Sequence, residues 1–241
     1  MRARSRRRPG ISVWVVLIAG LLGPGAAPAA DLLAEQGCTG CHATSAPADG
    51  ERSLADWVGR KAPDLFYAGA KFRPEWLRRW LARPTRIRPA GMAPTQHTRT
   101  VDGQDELVAD DLPEHPRVAE DDLDAVVEAL VALRWGGDRL PESLPSAPPV
   151  PPMLARLNFV KFKGCGSCHM APDDFGGFSG PQLYTVAHRL QPGFLWSYIA
   201  DPQAWDPLAP MPGYGLRPVE VGKLVQYLNL LAEESNDAAD R

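Results

Sequence analysis

The chain is poor in cysteine, with four in 241 residues, and all four fall inside two short motifs. None is left over for a disulfide, so stability must come from packing or from a bound group. Methionine and histidine are scarce too, five of each. Past residue 30 there is no long apolar run, which excludes a spanning helix in that part of the chain. Alternating β-branched stretches are few, which argues against a β-rich fold.

The first 30 residues stand apart. Arg2, Arg4, Arg6, Arg7 and Arg8 make a basic start, Ile11 to Leu22 an apolar run of twelve residues, and Ala27-Pro28-Ala29 a small-residue cleavage pattern. This is the pattern of a secretory signal peptide over residues 1–30. A retained membrane anchor competes with it, but a span wants about 20 apolar residues, and Gly23-Pro24 cuts the run short. Without the leader's five arginines the chain carries 21 basic against 29 acidic residues. That balance disfavours nonspecific nucleic-acid binding.

The cysteines sit in Cys38-Thr39-Gly40-Cys41-His42 and Cys165-Gly166-Ser167-Cys168-His169. Each reads C-x-x-C-H, the attachment signature of a c-type haem. Two thiols one helical turn apart can each take a haem vinyl group as a thioether, and the histidine then meets the iron from the same side. A lone C-x-x-C also fits zinc or a redox dithiol. A four-thiolate zinc site usually brings its pairs closer than the 127 residues separating these. A redox dithiol would need a βαβ context, and none is visible.

The halves overlay at an offset of 118 residues. Ala62-Pro63-Asp64-Leu65-Phe66 matches Gly180-Pro181-Gln182-Leu183-Tyr184, Trp76-Leu77 matches Phe194-Leu195, and Pro84 matches Pro202. After one inserted residue, Met92 matches Met211. Each repeat closes on a 3-4 apolar pattern, through Leu123, Val126, Val127 and Leu130 and through Val221, Leu224, Val225 and Leu228. The repeat predicts an all-α protein of two tandem domains. The expected limits are a leader over 1–30, domain one over 31–138, a linker over 139–152 with six prolines, and domain two over 153–241.

Over nearly all of residues 31–235, with the insertion and linker excepted, both halves resemble class I cytochrome c domains. The resemblance implies two covalently attached haem c groups, held by Cys38 and Cys41 and by Cys165 and Cys168. It makes His42 and His169 the proximal iron ligands, and Pro63 and Pro181 the acceptors, through their carbonyls, of the histidine Nδ1–H. It also implies a location on the periplasmic side of a bacterial inner membrane. Met92 and Met211 are the expected sixth ligands, since a thioether opposite histidine raises the reduction potential. Met211-Pro212 fits the family's Met-Pro pattern, whereas Met92-Ala93-Pro94 departs from it. His97, five residues on, is the natural rival, and His115 a further one.

Residues 97–119 have no counterpart in the second half and read as a polar, turn-rich insertion. Basic residues gather before it, Arg86 and Arg88 among them, and acidic residues within and after it. Two solvated faces would account for this, with Lys71 or Arg73 near a haem propionate; the alternative is a basic rim that steers a redox partner.

The expected function is a dihaem electron carrier acting with redox partner proteins, free or as the electron-transfer subunit of an oxidoreductase. It needs no catalytic residue, binds no nucleic acid, and touches a membrane only if the leader persists as an anchor. The alternative is a dihaem enzyme of the peroxidase kind, which requires one open iron position.

Overall fold

Proline and capping signals set the helix ends. The computed structural model describes residues 27–48, 52–110, 112–171 and 175–239. The expected leader lies outside them apart from its last four residues. Among the described residues the fold is mainly helical, with nine α-helices and 48% helix, plus one two-stranded hairpin. None of those helices is long and apolar enough to cross a membrane.

The first half contains α1 (Ala27–Glu35), α2 (Leu54–Val58), α3 (Ala68–Lys71) and α4 (Pro74–Ala82). The strands β1 (Thr98–Val101) and β2 (Gln104–Leu107) follow, then α5 (Leu123–Ala132). The second half contains α6 (Pro152–Leu157), α7 (Val186–Arg189), α8 (Pro192–Ala200) and α9 (Pro218–Ala239). The pairs α3/α7 and α4/α8 stand at the offset of 118 residues expected from the repeat.

Ser53 caps α2 reciprocally with Asp56. Pro74 and Pro192 open α4 and α8 in the first turn, where a missing N–H costs little. Pro84 and Pro202 follow their ends, because the residue before proline is forced out of the helical region. α6 passes into a wider π turn at Asn158–Phe162, and α9 continues to Ala239.

Among the described residues the hairpin is the departure from an all-α fold. Asp102 and Gly103 have φ of 51° and 78°, the left-handed pair that a two-residue hairpin turn requires. The strands pair antiparallel with Thr98 opposite Leu107, and Arg99 bonds Glu106 across them at 3.0 Å. The Asp-Gly step between Thr98–Val101 and Gln104–Leu107 was the available sequence signal.

Leu33, Leu77, Leu81, Leu123, Val126 and Leu130 form one core. The other is built on Phe194, Trp205, Val221, Leu224 and Leu228, and takes in Phe66, Tyr67 and Ala70 from the first half. Fully burying such side chains stabilises by about 1.5–3 kcal/mol each. Residues 140–151 of the segment expected as linker run along the second half without regular structure, while Pro152 already opens α6. Gln226 clamps it, donating to the carbonyls of Ala147 and Pro148 and accepting from Val150 N–H, each at 3.1 Å.

The halves meet about a local two-fold at an antiparallel bridge between Phe72 and Leu190, which are themselves 118 apart. Arg73 N–H donates to Arg189 O, and Gln191 N–H to Lys71 O, both at 2.9 Å. The side chains repeat the relation. Arg73 Nε donates to Ala187 O and Leu190 O, and Gln191 Nε2 to Gly69 O and Phe72 O. Each bond maps onto its counterpart by the repeat offset, which is the self-complementary pattern of an isologous interface.

A buried ion-pair group also crosses between the halves. Arg52 meets Asp64 at 2.6 Å, Arg60 meets Asp206 at 2.5 Å, and Arg60 lies 3.6 Å from Asp64. Removing one member of a buried pair leaves the other charge unsatisfied. Arg60→Ala is therefore expected to lower the unfolding free energy by about 3–5 kcal/mol in urea titration. A loss below about 1 kcal/mol would mean that Arg52 alone satisfies both carboxylates.

Candidate functional site

The two C-x-x-C-H motifs fold alike. Each follows a glycine in the left-handed region, Gly37 at φ 75° and Gly164 at φ 65°, where a Cβ would strain the backbone. A tight turn follows, Cys38–Gly40 or Cys165–Ser167. The first cysteine's carbonyl then accepts the N–H of the second cysteine and of the histidine, at 3.2 and 3.0 Å in the first half and 3.2 and 3.1 Å in the second. Cys38 and Cys165 are partly buried; Cys41 and Cys168 are exposed.

The chain then returns to the motif. Leu65 N–H bonds Ala43 O at 2.8 Å, and Leu183 N–H bonds Met170 O at 3.0 Å. That return puts Pro63 O 2.6 Å from His42 Nδ1 and Pro181 O 2.7 Å from His169 Nδ1. With Nδ1 carrying the proton, each ring keeps its Nε2 lone pair for a ligand. In the second half the fit is tight. A Cβ on Gly180 would stand 2.6 Å from His169 Nδ1.

Burial pushes the Cys165 thiol up to about 11 and raises Cys38 as well. Both remain thiols rather than thiolates, unlike an active redox dithiol. Among the described residues no three His, Cys, Asp or Glu side chains are gathered for a metal ion, so the four cysteines do not form one zinc site. Burial also lowers the pKa of His42 and His169, which favours the neutral imidazole needed for ligation. A cavity of about 510 Å³ opens beside Cys41 and His42, bounded by Arg52, Arg60 and Asp64. Cofactor sites span roughly 300–1,000 Å³. Thiol pair, single-ended imidazole and adjoining space fit a covalently held haem.

The other candidate ligands are dispersed. Met92 is partly buried and lines a small cavity of about 40 Å³ with Tyr67, Lys71, Arg88, Tyr198 and Asp206. Met211 packs partly buried against the second core, and its carbonyl accepts from Gln203 at 2.8 Å. His97 ends the short turn Pro94–Gln96, and its carbonyl accepts from Val108 N–H. His188 spends Nε2 on Ala232 O at 2.9 Å, a structural role. His115 faces His42, with ring centroids 6.1 Å apart.

The basic run before the insertion does not form one exposed rim. Arg73 joins the halves, Arg78 pairs with Glu120 and Asp124, and Arg88 turns into the small cavity. Among the described residues no carboxylate pairs with Lys71, Arg88 or Arg189. Lys71 lies over the rings of Tyr67, Phe72 and Phe194 at 5.3, 4.9 and 5.8 Å. Burial, then Arg88 and Arg189, push Lys71 down to about 7. Burial and Arg88 push Arg189 down to about 10. Arg88 and Arg189 both lower His169, so Arg88 of the first half reaches the second motif. Sequence reasoning placed Arg88 on a surface; only the turn of the chain at 83–91 takes it inside.

Two predictions follow from this geometry. Gly180→Ala is expected to destabilise the chain by about 1–3 kcal/mol in denaturant titration, because the methyl has to displace the His169 ring. Between pH 7 and Lys71's ordinary value near 10.5, the unfolded chain binds a proton that the folded chain does not. The stability of the haem-free chain therefore rises with pH across that window, and the full cost stands below pH 7. Lys71→Met should flatten that rise in unfolding curves. Comparison of the chain with family models, with curated proteins and with solved structures returned no match.

Proposed function

We propose that the chain is an exported, periplasmic dihaem c-type cytochrome, built of two tandem cytochrome c-like domains, that moves single electrons between redox partner proteins. One observation carries the reading. Twice in the chain, two thiols on a tight turn precede an imidazole whose Nδ1 is held by a proline carbonyl, at 2.6 and 2.7 Å. Haem supplies the redox chemistry when bound.

The chain's residues do the rest. Cys38 and Cys41, and Cys165 and Cys168, tether the two groups. His42 and His169 present Nε2 to the iron, and Pro63 and Pro181 fix the ring orientation. Met211 would supply the sixth ligand in the second half. Arg189 is a buried cation, Lys71 and Arg88 are partly buried ones, and none forms an ion pair among the described residues, which suits carboxylate side arms such as haem propionates. Their charge favours a reduced over an oxidised centre, because adding an electron relieves repulsion. The contact at Phe72 and Leu190 gives a fixed geometry through which both halves can act as one relay.

The exported full-length protein is expected to carry two covalent haems per chain, counted by the absorbance of the reduced pyridine complex against protein mass. Replacing Cys165 and Cys168 with alanine should leave one. A colourless exported protein, or one holding zinc, refutes the reading.

A further inference from the structure

His42 and His115 are brought close together from opposite ends of the first half. Their ring centroids are 6.1 Å apart and their planes tilted by 54°. Two imidazoles sharing one metal ion, each at a bond length of roughly 2.0 Å, hold their centroids roughly 6.3 Å apart. The rings are also alike in which nitrogen is engaged. His42 Nδ1 lies 2.6 Å from Pro63 O, and His115 Nδ1 lies 2.7 Å from Pro116 O. Both therefore keep Nε2 as the ligating atom.

The His115 side chain is exposed, but it is anchored. Its ring packs on Trp80 at 4.6 Å, and Trp80 is pinned by its Nε1–H bond to Thr85 O at 3.0 Å. The segment carrying it is tied at one end by Arg86 Nη2 to Leu112 O, and at the other by Val118 N–H to Leu81 O. The insertion folds back, so that Leu112 would lie 2.8 Å from a Cβ on Gly91. His115 thus returns next to the loop of Met92. Met92 itself lies on the small cavity with Tyr67, Arg88 and Tyr198.

We infer that His115, delivered by the insertion that the second half lacks, is the sixth iron ligand of the first-half haem, which makes that centre bis-histidine. This rests on the haem reading above and replaces Met92 in its expected role. The two halves then differ in kind. A thioether opposite histidine raises the potential, so the first centre sits below the second. Electrons entering at the first half would run downhill to the second.

The test uses full-length exported protein carrying both haems. Near-infrared magnetic circular dichroism of the ferric form distinguishes a methionine-iron charge-transfer band from bis-histidine ligation. The expected wild-type band corresponds to one methionine-ligated haem per chain, and Met92→Ala leaves it unchanged. His115→Met raises it to two and lifts the lower of the two reduction potentials. His115→Ala keeps the haem content but makes one centre high-spin and able to bind carbon monoxide. A wild-type band of two-haem strength, a band halved by Met92→Ala, or a His115→Ala protein with unchanged spectrum and potentials overturns the assignment. Protein without covalent haem overturns the cytochrome reading itself, a separate result.

Discussion

A single hydrogen bond, made twice, organises this molecule: imidazole Nδ1 to the carbonyl of a proline. It sets the tautomer, stops the ring from turning, and leaves one nitrogen lone pair aimed away from the backbone. The bond demands that the chain after each motif turn back on itself. The Leu65–Ala43 and Leu183–Met170 backbone bonds close that return in both halves. Gly180 exists as glycine because the His169 ring occupies the space a methyl would need.

Charge is arranged between the halves in two ways. Asp64 and Asp206 are nearly inaccessible, at 3% and 6% exposure, and each is paired with arginine. Lys71, Arg88 and Arg189 instead form no ion pair among the described residues, although Asp64 and Asp206 line the same small cavity as Lys71 and Arg88, and burial displaces the pKa values of Lys71 and Arg189. Separating a buried charge from water costs several kcal/mol unless an opposite charge meets it. The first set binds the halves together. The second is a cost in the polypeptide alone, which an anionic group seated there would offset.

Much of the fold was readable from local signals. The limits of α2 and α4 are set by local signals, because Ser53, Pro74 and Pro84 act within a few residues of themselves. The repeat offset holds to the residue in α3/α7 and α4/α8 because no insertion intervenes there. The hairpin was overlooked because it is short and polar, so apolar alternation was absent and only Asp102-Gly103 announced it. Arg73 and Arg88 were grouped with a basic surface because they are neighbours in a charge run. In space one bridges the halves and the other lines an interior cavity. His115 ranked low among the ligand candidates because it lies 73 residues from His42. Nothing local measures that separation in three dimensions.

The sequence alone determined the chemistry on offer: two thiol pairs with histidines, a tandem repeat, and helix ends written in proline and serine. Such features depend on covalent spacing and on backbone sterics, which act over a few residues. The tertiary structure decided which distant groups meet. It placed Arg73 and Gln191 across a two-fold, joined Arg60 to Asp206, and returned His115 to face His42. Those contacts arise from burying apolar surface around shared cores, a cooperative property of the whole chain that no short stretch encodes.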